Sequence, residues 1–506
     1  MDTPPEHQDE ENCKIFRQVE AAINLPLLPS YASAIRSRKP NHPAILCKVL
    51  PHFLSGSHHI YFQIEFTDSL RWLCQVPCNG YEGAFDESSA RALRNEALTM
   101  RLIQRETSIP VPEVYDFKDS TDNELRVPFI LMEYIDGRPL GKVWYDKSGP
   151  ADVADATRTQ ILRDVATAIV QMNKFGFKGK GAILYDEDGS PTGEVGPYRV
   201  LDAEAMRNQR KNAADHDGED NVDIFREVAP TSDLREAAFA DSLDHNPIFD
   251  DDFGKGLRKL MDILIDVAID KCTEEEQQGP KFVLTHPHFD IQSFIISKED
   301  GHLKAIIHWT GAITEPQCIL GNERYPSWLT RDWDEVVYYY NEETDNRREL
   351  SPQQLERYRG IYRNIVGHAS DNPAAKKVVY NSLPLENLQI AAAGPMFTYT
   401  VMRRIIEEVT KKAIACDSKD SRDHASEDDQ DDYDLSNKEG KTGGEPDSSE
   451  EEIDEDEEEE TSDVDDSFYL HEICPAVAQN ELKPEHHRRL VAGFKALLWQ
   501  DSPASQ

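Results

Sequence analysis

The segment from Leu284 to Trp309 constrains the fold of this chain more than any other stretch. Two β-rich runs, residues 284–296 and 303–309, flank the short acidic turn Glu299-Asp300-Gly301. Apolar and β-branched runs on either side of a glycine turn predict a β-hairpin. The first run contains a loop dense in His and Asp, residue types that move protons or bind metals. The sequence therefore predicts that candidate catalytic or metal-binding residues lie in this loop and hairpin.

The chain before this hairpin predicts a β-rich region. Residues Ile60–Phe66 and Arg71–Val76 are rich in aromatic and β-branched side chains and predict two strands around a turn. Apolar residues then recur at helical spacing from Ser88 to about Arg105. The apolar run Phe129–Ile135 predicts a buried strand. The order of these elements is typical of a small α+β lobe.

The pattern after residue 135 is mostly helical. Helices are predicted from Thr157 to Phe175, around residues 257–267, and from Ser351 to about Gly367. Ser351-Pro-Gln-Gln354 combines an N-cap serine with Pro in the first turn and Gln three residues on. A closing helix begins at Pro484. Residues 203–250 are polar, and we expect a long irregular or partly helical insertion there.

The formal net charge of −40 is distributed unevenly along the chain. Residues 417–467 hold 25 acidic and 4 basic residues, so this segment carries about half of the net charge. Such a run repels itself and has little to bury, which predicts a disordered segment at 416–467. The acidic balance argues against a nucleic-acid partner, which needs a basic surface. The segment either binds a basic partner or keeps the chain soluble, and the sequence leaves both roles open.

The first eleven residues and the cysteines bear on location. The start Met1–Glu11 is acidic and polar, unlike a secretion signal or an arginine-rich transit peptide. No run is long and apolar enough to span a membrane. Eight cysteines are scattered without a Cys-x-x-Cys pair, which favours free thiols. These features lead us to expect a soluble cytoplasmic protein with no membrane partner.

Several separated blocks resemble the aminoglycoside phosphotransferase/choline kinase-like family, and its large fungal branch in particular. The blocks are Gly56-Ser57 with Tyr61, Gln75-Val-Pro77, Asn95-Glu96, Ile109-Pro-Val-Pro112, Met132-Glu-Tyr-Ile-Asp-Gly137, the hairpin above, and Tyr325-Pro-Ser-Trp-Leu-Thr-Arg-Asp-Trp-Asp334. The resemblance implies a two-lobed protein-kinase-like α+β fold.

The resemblance also implies the domain boundaries. They are an N-terminal extension (1–41), a small lobe (42–134), a large lobe (135–415), the acidic segment (416–467) and a helical segment that completes the large lobe (468–502).

Carried over position by position, the resemblance implies that the catalytic groups are replaced. Phosphoryl transfer in this fold uses a cation on a small-lobe strand, a base Asp, and an Asn and a second Asp for magnesium. In this chain the cation position holds Gln75 and the base position His288. The metal positions hold Ser293 and His308, while the helix glutamate is kept as Glu96.

Two other sets of residues belong to the implied site. Met132, Glu133 and Tyr134 lie in the hinge segment that would contact a nucleotide. Asp290 follows His288 by two residues, which suggests either a displaced base or the loop-bracing role that relatives with His-Pro-Asp-Phe-Asp give this position. The bracing role is the simpler interpretation.

Three functions remain open from the sequence. The first is a pseudokinase that binds a protein or small molecule and needs no cofactor. The second is an ATP- and magnesium-dependent small-molecule phosphotransferase with altered catalytic residues. The third is a non-kinase metal site made by His286, His288 and His308. We favour the first, because His308 and Ser293 offer magnesium no carboxylate oxygen.

Overall fold

The computed structural model describes most of the chain. The described residues are 15–38, 45–202, 205, 224–240, 243, 246–275, 281–341, 349–427 and 468–498. Among them, no helix is both long enough and apolar enough to cross a bilayer. The predicted acidic segment lies outside the described residues from 428 onward.

The small lobe is built on an antiparallel sheet. Its elements in chain order are α1 (Arg17–Ala22), α2 (Leu28–Ser37), β1 (Cys47–Val49), β2 (Leu54–Ser55), β3 (His59–Phe66), β4 (Arg71–Pro77), α3 (Glu87–Glu106), β5 (Val114–Lys118) and β6 (Phe129–Glu133). Within the described residues 45–133, six strands pair in the order β1-β3-β4-β6-β5, with β2 also on β3. Side chains of β3 alternate between buried and half-buried, as a sheet with one core face requires.

The predicted N-terminal extension is part of this lobe. Phe16, Val19, Leu28 and Ala32 are fully buried and share a core cluster with strands β3, β4 and β6. The described residues 15–38 of the predicted extension therefore pack on the sheet of the small lobe.

The large lobe is mixed at first and helical later. Its described elements are β7 (Arg138–Pro139), α4 (Leu140–Trp144), α5 (Ala151–Ile169), β8 (Gly176–Phe177), β9 (Ala182–Tyr185), β10 (Pro191–Gly196), β11 (Tyr198–Leu201), β12 (Phe225–Val228), α6 (Asp252–Glu275), β13 (Phe282–Thr285), β14 (Phe294–Ile296), β15 (Leu303–Ile306), β16 (Ile313–Pro316), α7 (Gln317–Leu320), α8 (Pro352–Ala369), α9 (Ala375–Ala393) and α10 (Thr398–Glu427).

The predicted hairpin is present but shorter than its sequence run. Strands β14 and β15 pair antiparallel, with Phe294 opposite Ile306, and β7 adds to the other edge of β14. The first part of the run forms β13, which pairs with β16 and β8 in a different sheet. The loop between β13 and β14 therefore crosses from one sheet to the next. The polar side chains of His286, His288 and Asp290 lie in this crossing loop.

The region 203–250 was predicted to be a long irregular or partly helical insertion. Its described residues include short helical turns at Glu236–Ala240 and Pro247–Phe249, as that prediction allows. Phe225–Val228 form β12, which pairs antiparallel with β11. The prediction missed this strand, because four residues leave no clear period in a polar stretch. Most of 203–223 lies outside the described residues.

The C-terminal helices form a compact unit of their own. Helices α11 (Leu470–Ala478) and α12 (Pro484–Leu498) group with residues 249–264 and the chain from Met402 onward. Helices approach closely within this unit, since a Cβ on Gly256 would lie 1.9 Å from the Cys474 carbonyl oxygen and one on Gly493 would lie 2.4 Å from that of Val409. The assignment of 468–502 to the large lobe stays a prediction. The disorder predicted for 416–467 is wrong for residues 416–427, which continue helix α10.

The start of α8 gives a direct test of the local sequence code. The Ser351 hydroxyl accepts from the Gln354 amide at 3.2 Å, and the Gln354 side chain accepts from the Ser351 amide at 3.0 Å. The predicted capping box is therefore confirmed. It satisfies two amide groups that have no partner within the helix.

We expect Ser351→Ala to lower the free energy of unfolding by about 1 kcal/mol, because the N-cap hydroxyl is lost. Urea denaturation followed by circular dichroism measures this change. Gln353→Ala is the matched control, since Gln353 is exposed in the same helical turn. Equal effects of the two substitutions would contradict the capping role.

Candidate functional site

A buried carboxyl group joins the two lobes at the centre of the site. Gln75 on β4 donates from Nε2 to Glu96 Oε1 at 3.0 Å, and the Thr310 hydroxyl donates to Glu96 Oε2 at 2.9 Å. Gln75 and Glu96 are each only 4% exposed. Glu96 lies on α3, whereas Thr310 follows β15 in the large lobe. The contact that normally orients a phosphate-binding cation is here a pair of neutral hydrogen bonds.

The chemistry of Glu96 follows from this environment. Burial raises the pKa of Glu96 to about 7, although the hydrogen bonds from Gln75 and Thr310 partly oppose the shift. A cation beside the carboxyl group would favour its charged form. With the neutral amide of Gln75 in that place, no charge on this neighbour opposes the rise in the pKa of Glu96.

The loop between β13 and β14 is held by its own backbone. His286 is 1% exposed; its Nε2 donates to the Ile307 carbonyl at 2.8 Å, and its Nδ1 accepts from the His288 amide at 3.2 Å. Burial lowers the pKa of His286 to about 3, so the ring is neutral. Both ring nitrogens are engaged within the protein. His286 is therefore a structural part of the loop and offers no free nitrogen to a metal.

Asp290 and Ser293 are also turned toward the loop. The Asp290 carboxylate accepts from the Gln292 amide at 3.1 Å and from the Ser327 hydroxyl at 2.7 Å. Ser293 is 1% exposed and donates its hydroxyl to the His288 carbonyl at 2.7 Å. Each of these side chains closes a local turn. Asp290 has the geometry of a bracing residue, and the Ser293 hydroxyl proton is used inside the loop.

His288 and His308 are the exposed members of the site. Loss of hydration lowers the pKa of both rings, and Asp290 partly opposes the shift in each. His308 has a φ of 66°, a left-handed conformation that costs a residue with a Cβ about 1–2 kcal/mol. The backbone at this position is thus held by its surroundings rather than by the preference of histidine. Among the described residues, no three His, Cys, Asp or Glu side chains converge in a metal-binding arrangement.

The hinge residues use their backbone groups in the sheet. The Glu133 amide donates to the Glu113 carbonyl at 2.9 Å, and the Tyr134 amide donates to the Arg71 carbonyl at 3.2 Å. The Arg71 guanidinium lies 3.9 Å from the centre of the Tyr134 ring. Met132 is buried in the main core. The amides of Glu133 and Tyr134 are therefore used in backbone hydrogen bonds within the small lobe.

The comparison with known families identifies the folded core. Residues 62–312 match the model of the phosphotransferase enzyme family, and this range contains Gln75, Glu96, His288, Ser293 and His308. This part of the chain belongs to the phosphotransferase enzyme family. The two-lobed protein-kinase-like α+β fold is confirmed by the family match together with the strand-rich small lobe and helical large lobe described above.

Curated relatives are fungal proteins named "Altered inheritance of mitochondria protein 9, mitochondrial". The Candida glabrata protein is 24% identical over 31% of this chain and 26% of its own length. The Eremothecium gossypii protein is 21% identical over 70% of this chain and 62% of its own length. The chain thus covers less than two thirds of either relative. Among solved structures, a thermostable mutant of the aminoglycoside phosphotransferase APH(4)-Ia with AMP-PNP and hygromycin B is 12% identical to this chain. The match covers 74% of this chain and 98% of that chain, with a TM-score of 0.36.

These relatives correct the predicted location. The expectation of a cytoplasmic protein is contradicted, because the relatives are named as mitochondrial proteins. That expectation rested on the composition of residues 1–11, on the lack of a long apolar run and on the scattered cysteines.

The sequence interpretation missed three residues near the site. Thr310, two residues after His308, donates the second hydrogen bond to Glu96. His58 precedes β3 and His59 begins it; nearby His288 lowers the pKa of His58, and nearby His308 lowers the pKa of His59. The spacing from His308 could have suggested Thr310. Nothing local to His58 indicates its distant neighbour.

The raised pKa of Glu96 predicts a specific pH dependence of stability. Because the folded-state pKa of about 7 exceeds the ordinary value of 4.5, protonated Glu96 stabilises the fold fully below pH 4.5. This contribution, on the order of 3 kcal/mol, is lost as the pH rises toward 7. Glu96→Gln should therefore flatten the dependence of unfolding free energy on pH between these values.

Urea denaturation at a series of pH values measures this difference between the substituted and unsubstituted chains. Glu87→Gln is the control, since Glu87 is an exposed carboxylate at the start of the same helix. An unchanged slope in Glu96→Gln would show that Glu96 is already charged throughout this range.

Proposed function

We propose that this phosphotransferase-family chain is a pseudokinase, a protein that binds a ligand or partner with the fold but does not transfer phosphate. The observation that carries the proposal is the buried hydrogen bond from Gln75 to Glu96. An amide carries no charge, so the phosphates of a nucleotide would lack the cation on which phosphoryl transfer in this fold depends.

The metal positions support the same proposal. Magnesium prefers oxygen ligands in octahedral geometry. His308 presents an imidazole, and the Ser293 hydroxyl is directed to the His288 carbonyl. Neither side chain supplies the negative charge that would hold the metal beside ATP. His288 in the base position could accept a proton, but a general base contributes only about 10²–10⁴ in rate and does not replace the metal site.

We also propose that the protein acts in mitochondria, by analogy with the named relatives. The acidic segment 416–467 is proposed to bind a basic partner, because its many carboxylates favour such a surface. Fractionation of fungal cells expressing the full tagged protein tests the location. Salt-dependent binding of a polylysine peptide, compared between the full chain and a deletion of 428–467, tests the segment.

We expect magnesium-ATP to change the melting temperature of the unsubstituted chain by less than about 1 °C, since binding at concentrations near or below Kd adds little stability. Differential scanning fluorimetry measures this shift, and a radiolabelled ATP assay measures transfer. ATP hydrolysis or transfer that is lost in His288→Ala or Asp290→Asn, but kept in the surface control Asp188→Asn, would overturn the proposal in favour of an active phosphotransferase.

Restoring the replaced groups tests which of them were decisive. The combined variant Gln75→Arg, His288→Asp, Ser293→Asn and His308→Asp should bind magnesium-ATP at least about tenfold more tightly, a gain of about 1.4 kcal/mol. Calorimetry with and without magnesium measures this gain. The variant with only Gln75→Arg is the matched comparison, because it restores the cation without the metal ligands. No gain in the combined variant would show that the cleft itself has been remodelled.

A further inference from the structure

The hairpin formed by β11 and β12 is anchored to the large lobe at one end. Tyr198 pairs with Val228 there, and the chain then reaches Thr231, which exchanges backbone hydrogen bonds of 2.7 and 3.2 Å with Lys180. Lys180 is itself buried, and its ammonium group lies 3.0 Å from the Glu315 carboxylate. This end of the hairpin therefore cannot move without disturbing the large lobe.

The opposite end of the hairpin rests on the small lobe. The Phe225 ring meets the His58 ring edge-on, with 5.1 Å between their centres. His58 lies in the turn between β2 and β3, and its carbonyl accepts from the Cys78 amide at 2.8 Å. Burial, together with nearby His288 and Arg199, lowers the pKa of His58. The imidazole thus packs against Phe225 as a neutral aromatic ring.

Two further contacts tie the hairpin to the first turns of α3. The Arg199 guanidinium donates to the Ser89 hydroxyl at 3.0 Å and also lies 4.8 Å from the centre of the Phe225 ring. Arg91 and Glu227 form an ion pair at 2.6 Å. Helix α3 carries Glu96, and a small-lobe turn covers the nucleotide phosphates in protein kinases. The hairpin therefore contacts both the turn at His58 and the start of helix α3.

We propose that the β11–β12 hairpin is an intramolecular strap that ties the turn at His58 and helix α3 to the large lobe. The two lobes separate only when three contacts break: Phe225 with His58, Arg199 with Ser89, and Glu227 with Arg91. Each contact is weak alone, but the three act in parallel between the same two lobes, and this raises the effective concentration of each. Opening and closing of lobes admits ligands in two-lobed enzymes. Release of the strap would control such access here.

Hydrogen exchange of the full chain, followed by mass spectrometry, tests the strap. Phe225→Ala should raise the exchange rate of peptides covering 54–60 and 87–95 by about tenfold, because local opening becomes easier. Peptides of α8, residues 352–369, should keep their rates. Leu201→Ala is the matched control, since Leu201 lies opposite Phe225 in the register and is 49% exposed.

The ion pair gives a second, independent test. Arg91→Glu or Glu227→Arg alone should raise exchange in 87–95, and the two together should restore protection, because the swapped charges attract again. Unchanged exchange in 54–60 and 87–95 for Phe225→Ala would overturn the strap. So would an equal rise in α8, since the hairpin would then only support the fold as a whole. These results do not depend on ATP turnover, so the strap and the proposed loss of phosphoryl transfer can fail separately.

Discussion

The Glu96 carboxyl group is the joint on which the arrangement of the two lobes depends. It receives one hydrogen bond from strand β4 and one from the large-lobe segment after β15. A buried carboxylate without a cation is expensive, so the group responds by titrating near neutral pH. The joint therefore keeps helix α3 in place through polar hydrogen bonds. The two donors to this group are an amide and a hydroxyl, so neither brings a positive charge.

The same inward use of polar groups recurs around the cleft. His286, Asp290 and Ser293 direct their hydrogen bonds to the loop that carries them, and the hinge amides pair within the sheet. In an active site such groups can point at ligands, where they stabilise developing charge. Here they stabilise the loop and the sheet that carry them. Strands β11 and β12 add contacts of the same kind between the large lobe and the small lobe.

Elements with a strong local code were predictable from the sequence. Strands β3 and β4, helix α3 and the capped start of α8 follow from apolar period and end signals, and the structure confirms them. The identities of Gln75, His288, Ser293 and His308 also come from the sequence, and their assignment to catalytic positions stays a prediction. Helices α1 and α2 were not assigned to the lobe, and the β11–β12 hairpin was not foreseen. These elements are stabilised by distant partners, such as Leu125 and Phe129 in the N-terminal core, and so leave little trace in their own residues.

The sequence by itself determined which chemical groups stand at the positions that the family resemblance implies for catalysis, because side-chain identity does not depend on folding. Tertiary structure decided what those groups do. Only the folded chain buries Glu96 between Gln75 and Thr310, engages both nitrogens of His286, and brings Phe225 to His58 across a separation of 167 positions. Hydrogen bonding, desolvation and contact between distant segments all depend on three-dimensional proximity. The local pattern of a sequence does not encode that proximity.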